Sequence, residues 1–170
     1  VYKKPSIALV ITGNELIEAG QPLTYGKIYE SNSKMLQNAL YNLKFYDVTI
    51  YKIVDDYDKT YSTLKTIISK KDLVIISGGI SVGDYDFVGK ALIELDVKEI
   101  FYKIKQKPGK PLFFGKKENA LVFALPGNPA AALTCFNVYV IKALNLLTGK
   151  RPQGLVRIKK NITTDFSRKG

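Results

Sequence analysis

The sequence predicts an α/β protein with three layers, αβα, in which helices cover both faces of a mostly parallel sheet. Two observations predict this class. Apolar segments rich in β-branched residues alternate with segments whose apolar residues recur every three or four positions. The apolar segments are also continuous rather than alternating, which is typical of strands buried on both faces. With 170 residues, of which 46% are hydrophobic, the chain is long enough for one domain with a substantial core.

The first half of the chain holds three predicted strands and the two helices between them. The strands are SIALVIT at 6–12, DVTIYKIV at 47–54 and LVIISG at 73–78. The helices are NSKMLQNALYNLK at 32–44 and DKTYSTLKTIISK at 58–70. The opening apolar segment follows two lysines, as in a signal peptide, but it is only about seven residues long and leads into Gly-Asn-Glu rather than a cleavage site. We therefore assign it to the first strand.

The second half begins with a helix predicted to start near Asp86 and to carry VGKALIEL. EIFYKI at 99–104 is predicted to form a strand. Residues 111–125 are typical of a hairpin that turns at 117–119. The last predicted helix, at 128–149, has the clearest boundaries in the chain. Its first residue is an asparagine suited to capping, a proline follows at the first helical position, and a glycine stands just past its end.

Residues 1–149 are therefore assigned to one domain. From residue 150 the sequence becomes basic and poor in helix formers. We expect 150–170 to be a linker and the truncated start of a C-terminal β-rich domain, so that the chain is a fragment of a larger protein.

Composition excludes several kinds of chemistry. The single cysteine, Cys135, lies in an apolar series, which excludes a disulfide framework or cysteine-based metal site and predicts a buried, inert thiol. There is no histidine, so acid–base or metal chemistry must use Asp, Glu, Lys or Tyr. No apolar run reaches the roughly 18 residues of a membrane span. We expect a cytoplasmic protein with no membrane partner.

The chain is strongly basic, with 26 Lys and Arg against 15 Asp and Glu, a net charge of +11. This balance raises the possibility of nucleic-acid binding. However, the lysines are not gathered on one helix with interleaved aromatic residues. A small anionic molecule with several phosphates or oxyanions fits their distribution as well as DNA does, and we expect such a ligand and no nucleic acid.

In an open parallel sheet the ligand lies outside the carboxyl ends of the strands. The loops at those ends follow Thr12, Val54, Ser77 and Leu125, and each contains glycine, a carboxylate or a helix cap. Three glycines at positions 78, 79 and 83 suggest that something other than the chain itself approaches this backbone. Their amides and the following helix N-terminus suit an oxyanion.

The carboxylates of these loops have two interpretations each. Asp84 and Asp86 are favoured helix caps, but both cannot cap the same helix in the same way. The aspartate that does not cap the helix could hold a hard divalent cation together with Asp55, Asp56 and Glu15. Alternatively, Asp55 and Asp56 form a turn that ends the preceding strand.

Two further loops carry anion-binding features. Lys103, Lys107 and Lys110 surround a rigid Pro-Gly-Lys-Pro segment, which we interpret as an oxyanion site, although lysines on a solvated edge strand are also ordinary. LPGNP at 125–129 is a well-capped helix start that follows a strand. Because this helix begins directly after a strand, its capped N-terminus also suits an anion.

Taken together, six ordered motifs resemble the molybdopterin-binding domain of molybdopterin molybdenumtransferases, the MoeA and gephyrin E-domain family. The resemblance covers about residues 5–149. The motifs are TGNEL at 12–16, GKIYESN at 26–32, DD at 55–56, SGGISVGDYD at 77–86, KPGKP at 107–111 and LPGNP at 125–129. The family form of the first motif is TGDEL, so Asn14 replaces a carboxylate here, and we give it no metal role.

The resemblance implies the insertion of molybdate into adenylylated molybdopterin, with Mg²⁺ and release of AMP. It implies functional carboxylates at Glu15, Asp55 and Asp86, of which Asp55 and Asp86 would bind the metal. It also implies that lysines bind the anionic groups of the substrate, that prolines shape the pocket, and that glycines and polar residues present amides and caps. These substrate-binding residues are Thr12, Gly13, Ser77, Gly78, Gly79, Ser81, Lys103, Lys107, Lys110, Pro126, Gly127, Asn128 and Pro129.

As partners, the resemblance implies a molybdopterin adenylyltransferase and a second copy of the chain, with a dimer in the full-length protein whose other domains complete the active site. The alternatives are an adenylyltransferase of the sister family, disfavoured because this chain has GGISVG where that family has GGTG, and a non-catalytic binding or scaffold module. CinA-type proteins lack the KPGKP and LPGNP motifs. Molybdate and tungstate remain equal candidates for the oxyanion.

Overall fold

The structure is a computed structural model that describes residues 2–80 and 86–152 and, beyond these, 155, 156, 158–161, 163–165 and 167. The chain forms eight strands and a set of helices within this part. The strands are β1 (Ile7–Thr12), β2 (Leu16–Ile17), β3 (Ile28–Tyr29), β4 (Val48–Ile53), β5 (Leu73–Ser77), β6 (Lys98–Tyr102), β7 (Phe113–Lys117) and β8 (Ala120–Leu125). The helices are α1 (Asn32–Asn42), α2 (Tyr57–Ile68), α3 (Phe87–Glu94), α4 (Pro129–Cys135) and α5 (Ile141–Leu147), with a π-helical turn at Phe136–Val140 that joins the last two.

Six of the strands form one sheet in the order β4-β1-β5-β8-β7-β6. The first four are parallel, whereas β7 is antiparallel to both of its neighbours. The loops after β1, β4, β5 and β8 therefore leave the same edge of the sheet, as predicted. The chain passes from β1 to β4 on one side and returns to β5 on the other, so the strand order reverses at β1.

Each face of the sheet carries its own core, which confirms the predicted three layers. On one face α2 and α3 pack on residues such as Val10, Ile76 and Val122. On the other face α1 and the last helices pack on residues such as Leu9 and Phe123. Because side chains alternate along a strand, β1 and β5 supply both cores and are buried along their whole length.

Two features differ from the sequence-based expectation. DVTIYKIV was expected to be buried on both faces, but β4 is an edge strand and only Ile53 is fully buried. The helical stretch Pro129–Leu147 is long and apolar enough to span a membrane by length and composition, although no such segment was expected. It packs against the sheet through Cys135, Phe136 and Leu144, so its apolar character is explained by the core of this domain.

The structure also contains two elements that were not predicted. Residues Leu16–Ile17 and Ile28–Tyr29 pair as a small parallel sheet, which folds residues 14–31 into an arm beside the end of β1. The π turn interrupts the last helix. The expected ends of that helix are confirmed, since Asn128 accepts a hydrogen bond from the Ala131 N–H at 3.1 Å and Gly149 follows with φ of 70°.

Candidate functional site

A cleft lies where the strand order reverses, at the carboxyl ends of β1, β5 and β8. Its cavity has a volume of about 250 Å³. The walls come from the end of β1, the arm, the start of α1 and the loops after β5 and β8. They include Thr12, Glu15, Leu16, Ile28, Tyr29, Glu30, Ser31, Asn32, Ser77, Gly78, Gly127, Asn128 and Pro129. Four of the six motifs, TGNEL, GKIYESN, SGGISVGDYD and LPGNP, thus meet at one cavity.

The glycines after β5 are required by close packing of the backbone. Gly78 and Gly79 have φ values of 90° and 63°, in the left-handed region that favours glycine. A Cβ on Gly78 would lie 2.5 Å from the Thr12 carbonyl oxygen, and one on Gly79 would lie 2.5 Å from Thr12 Oγ1 and 2.7 Å from the Val88 side chain. The turn is therefore pressed onto the end of β1, and Thr12 Oγ1 is buried beneath it with no hydrogen-bond partner among the described residues.

Asn32 joins the two loops that form the floor of the cavity. Its Nδ2 donates to Ser77 Oγ at 2.8 Å and to the Gly127 carbonyl oxygen at 2.7 Å. Only 9% of Asn32 and 1% of Ser77 is exposed. Asn32 thus fixes the loop after β5 against the loop after β8 from the first turn of α1.

Two of the predicted carboxylates lie near this end of the sheet but are exposed. Glu15 is part of the cavity wall, and its carboxylate folds over Gly13, where a Cβ would lie 2.8 Å from Glu15 Oε2. Asp55 does not line the cavity. It follows β4, where its Oδ2 accepts a hydrogen bond from the Asn14 N–H at 3.0 Å and its own N–H donates to Asn14 Oδ1 at 3.0 Å. Asp56 caps α2 through the Lys59 N–H at 2.8 Å.

Asp86 lies on the α3 side of the sheet, away from the cavity lining. Its Oδ1 accepts from the Gly89 N–H at 2.7 Å, so it is the N-cap of α3, and the Tyr102 hydroxyl approaches Oδ2 at 3.5 Å. Burial raises the pKa of Asp86, while the hydrogen bonds from Gly89 and Tyr102 and the charge of Lys103 oppose that rise. Burial and the Asp86 carboxylate together raise the pKa of Tyr102.

The lysine loop, residues 103–111, is anchored rather than free. Gln106 Nε2 donates to the Pro108 carbonyl oxygen at 2.8 Å, and the Tyr139 hydroxyl donates to Gln106 Oε1 at 2.9 Å. Gly109 packs so tightly on Cys135 that a Cβ would lie 2.6 Å from the sulfur atom. The side chains of Lys103, Lys107 and Lys110 are exposed on this anchored loop.

The cysteine is buried, as predicted. Burial raises the pKa of Cys135 to about 11. The raised pKa favours the neutral thiol at physiological pH, as expected of a buried packing residue.

The structure brings some predicted site residues together and separates others. Those around the cavity are Thr12, Glu15, Ser77, Gly78, Gly127, Asn128 and Pro129. Pro126 is buried behind them, and Gly13 and Gly79 flank them. Ser81 and Asp84 lie outside the described residues. The lysine loop and Asp86 stand apart from the lining, toward β6.

The described residues do not fit a magnesium ion held by the protein alone. No group of three or more His, Cys, Asp or Glu side chains that could share a metal ion occurs among them. Asp55 pairs with Asn14 beside the end of β4, whereas Asp86 is the N-cap of α3 and approaches Tyr102 on β6.

Two sets of contacts around the candidate site were missed by the sequence-based prediction. Asn32 lies inside the GKIYESN motif, but its two partners are 45 and 95 residues away. Gln106 and Tyr139 anchor the lysine loop across 33 residues. The only local signal was the motif itself, since neither contact follows from sequence spacing.

Comparisons with known proteins agree with these observations. The sequence profile of the family described as "Probable molybdopterin binding domain" matches residues 8–146. The molybdopterin molybdenumtransferase of Staphylococcus epidermidis is 35% identical over 169 residues, which is 99% of this chain and 40% of that protein. The chain therefore spans about two fifths of the length of this curated relative.

Solved structures show the same fold. The molybdopterin biosynthesis MoeA protein from Pyrococcus horikoshii superposes with a TM-score of 0.74 at 30% identity, covering 86% of this chain and 36% of that one. The molybdopterin biosynthesis enzyme MoaB from Thermus thermophilus superposes with a TM-score of 0.60 at 20% identity, covering 86% of this chain and 99% of that one. At that lower identity the likeness concerns the fold alone.

Proposed function

Since the chain belongs to the molybdopterin-binding domain family, we propose that it is the substrate-binding domain of a molybdopterin molybdenumtransferase. In the full-length protein this domain would bind adenylylated molybdopterin while molybdate is inserted into its dithiolene and AMP is released. The observation that carries the proposal is the meeting of four sequence motifs at one cavity, at the point where the strand order reverses.

The described residues would bind the ligand at two places along the same edge of the sheet. The cavity between β1, β5 and α1 would hold one end of the ligand between backbone and apolar walls. The lysine loop beyond β8 would bind the phosphate groups or molybdate, because Lys103, Lys107 and Lys110 present three exposed ammonium groups on an anchored backbone.

The three carboxylates would have different roles in this reaction. Asp86 lies nearest to the lysine loop, and the positive charge of Lys103 opposes the rise in the pKa of Asp86. A carboxyl group with a raised pKa beside an anion site suits proton transfer during release of AMP. Glu15 would contact the ligand at the cavity, and Asp55 would act by holding the loop after β1.

The proposal is tested by calorimetric titration with adenylylated molybdopterin, with and without Mg²⁺. The titration would be run on this chain and on the full-length protein. We expect binding by the wild-type protein. Failure of the folded full-length protein to bind would overturn the proposal, whereas binding by the full-length protein alone would mean that its other domains complete the site.

A further inference from the structure

A second cavity lies at the opposite end of the sheet from the cleft, where β1, β5 and β8 begin. Its volume is about 450 Å³. The walls come from the segment before β1, the residue before β5, the β7–β8 hairpin and the end of α5. They consist of Lys3, Lys4, Pro5, Asp72, Lys116, Asn119, Leu121 and Leu147. None of these residues lines the cleft, so this cavity is separate from the proposed substrate site.

Exposed lysines surround the second cavity. Lys3, Lys4 and Lys116 lie on its wall. Lys98 is paired with Lys116 between β6 and β7, and residues at directly opposite positions of an antiparallel pair point to the same face of the sheet. We call Lys3, Lys4, Lys98 and Lys116 the basic patch.

Carboxylates do not neutralise the basic patch. Asp72 is the only acidic residue on the cavity wall, and its Oδ2 accepts hydrogen bonds from the Ser6 N–H at 2.7 Å and from Ser6 Oγ at 2.8 Å. The ion pairs formed by the described residues involve Lys52 and Lys71, and neither lysine is part of the patch. Four positive charges thus face one carboxylate.

The fold itself does not require this arrangement of charges. A lysine on an edge strand discourages pairing with other chains, which would account for Lys98 on β6. Lys116, however, lies on β7 inside the sheet, directly opposite Lys98. Like charges at directly opposite positions of an antiparallel pair destabilise a sheet. A partner with negative charge would relieve this repulsion, which indicates a binding role for the patch.

The floor of the second cavity is apolar. Pro5 is buried, and the half-buried Leu121 and Leu147 line the cavity beside it. A charged rim around an apolar floor suits a ligand that combines negative groups with an apolar side chain. A protein segment with Asp or Glu on either side of a leucine has this composition, and protein interfaces commonly place an apolar anchor inside a polar rim.

Charge and shape argue against other occupants. A second copy of this chain carries a net charge of +11, and residues 151–170 carry six Lys or Arg against one Asp, so both would be repelled. Nucleic-acid sites use arginine forks and aromatic rings that stack on bases, whereas the wall of this cavity contains neither. A membrane surface would need apolar side chains that project outward, but here they line a cavity.

We propose that the basic patch docks an acidic segment of a partner protein. One apolar side chain of that segment enters the cavity over Pro5, Leu121 and Leu147, and the Asp and Glu residues around it pair with the four lysines. This interaction surface goes beyond the proposed function. Because it lies at the end of the sheet away from the cleft, the partner can stay bound while a substrate enters and leaves.

The test uses the full-length protein and a fluorescein-labelled acidic peptide with Asp and Glu residues on both sides of a central leucine. A second peptide has serine in place of the leucine. Dissociation constants would be measured by fluorescence anisotropy at low and at high ionic strength. A thymidine oligonucleotide and vesicles that contain phosphatidylserine serve as the other anionic probes.

Two matched double variants separate the patch from the overall charge of the protein. Lys98→Gln with Lys116→Gln removes two charges of the patch. Lys59→Gln with Lys65→Gln removes two exposed charges from α2, on the other face of the sheet. We expect the patch variant to bind the leucine peptide at least about fivefold more weakly at low ionic strength, and the α2 variant to lose less than about twofold. High salt should reduce the difference between the two variants.

The peptides and the stability of the patch variant provide further readouts. The serine peptide should bind the wild-type protein at least about threefold more weakly than the leucine peptide, because it lacks the apolar anchor. The patch variant should unfold at no lower urea concentration than the wild type, since a like-charge pair has been removed. If that variant does not fold, Lys3→Gln tests the same patch and should also weaken binding.

Similar losses in both double variants, or equal binding of the two peptides, would overturn the inference. Tighter binding of the oligonucleotide or of the vesicles than of the leucine peptide would also overturn it. A folded full-length protein that does not bind the peptide would show that its other domains cover the patch. Adenylylated molybdopterin should bind the wild type and the patch variant equally, and a parallel loss of its affinity would assign the patch to the substrate site instead.

Discussion

Asn14 and Asp55 bind each other's backbone: the Asn14 N–H donates to Asp55 Oδ2 and the Asp55 N–H donates to Asn14 Oδ1, both at 3.0 Å. This reciprocal pair joins the loop after β1 to the loop after β4. It explains what an asparagine does where the resemblance leads one to expect a carboxylate. An aspartate at position 14 would place a second negative charge beside Asp55, whereas the amide oxygen accepts the same hydrogen bond without repulsion.

The pair allows the structural role of Asp55 to be separated from a chemical one. Asn14→Ala and Asp55→Ala each remove one side of the same exposed contact, so each should lower the free energy of unfolding by about 1 kcal/mol. Since we propose that Asp55 acts by holding the loop after β1, both variants should impair molybdate insertion by the full-length protein to a similar extent. Loss of activity in Asp55→Ala alone would show instead that the carboxylate takes part in the reaction.

Asp86 leads to a prediction about pH. Burial raises its pKa above the ordinary value of 3.8, so the folded chain binds this proton more tightly than the unfolded chain does. Its contribution to stability is therefore full below about pH 3.8 and is lost as the pH rises through the raised pKa. Asp86→Asn should remove this loss while keeping the cap on the Gly89 N–H, because an amide oxygen also accepts.

The measurement is urea unfolding of both proteins between pH 3 and pH 7. We expect the stability of Asp86→Asn relative to the wild type to increase across this range, together with weaker molybdate insertion by the full-length variant. A variant that is less stable at pH 7 and fully active would show that the carboxylate is needed only for the fold.

Local features of the chain were predictable, and contacts between distant segments were not. Asn128 and Pro129 identify a helix start on their own, because a cap and a first helical turn involve only neighbouring residues. The edge position of β4 could not be predicted, since it depends on the order in which strands pair. Asn32 was missed for the same reason, as its partners come from two other loops.

The small sheet of the arm was also missed. Each of its strands is only two residues long, which is too short for a periodic pattern. The π turn leaves no trace in the pattern either, because four of its five residues, FNVYV, are apolar, like most of the helix around it. By contrast, the convergence of the loops after β1, β5 and β8 followed from the parallel sheet alone.

The turn after β5 should tolerate no side chain at position 79. Gly79→Ala combines a left-handed backbone with overlap on Thr12 Oγ1 and Val88, so we expect it to cost about 3 kcal/mol or more. Gly26→Ala is the matched control, with φ of 75° and open space around the position, and should cost only about 1 kcal/mol. Similar costs in urea unfolding would show that the tight approach to β1 is not required.

The lysine loop should make ligand binding depend on salt. Lys107→Met removes one exposed charge from the proposed anion site and should weaken binding of adenylylated molybdopterin at low ionic strength, with the difference shrinking as salt is added. Lys116→Met is the control, since this lysine is also exposed but lies on β7 near the opposite end of the sheet. Titrations at several salt concentrations that show the same affinity for both variants would remove Lys107 from the site.

The anchoring of that loop should matter as much as its charge. The Tyr139 hydroxyl donates to Gln106, and the Tyr139 ring packs on Phe101 with 6.0 Å between centroids. Tyr139→Phe keeps the ring and removes the hydrogen bond, so the loop should lose order and bind the ligand about fivefold more weakly, which corresponds to about 1 kcal/mol.

Tyr41→Phe is the matched control for this variant, because the Tyr41 hydroxyl accepts a hydrogen bond from Gln37 at 3.1 Å on α1, away from the loop. Both substitutions remove one tyrosine–glutamine hydrogen bond and should affect unfolding similarly. Only Tyr139→Phe should lower the affinity for adenylylated molybdopterin in calorimetry. Equal affinities of the two variants would mean that the prolines and the contact between Gly109 and Cys135 are enough to hold the lysines in place.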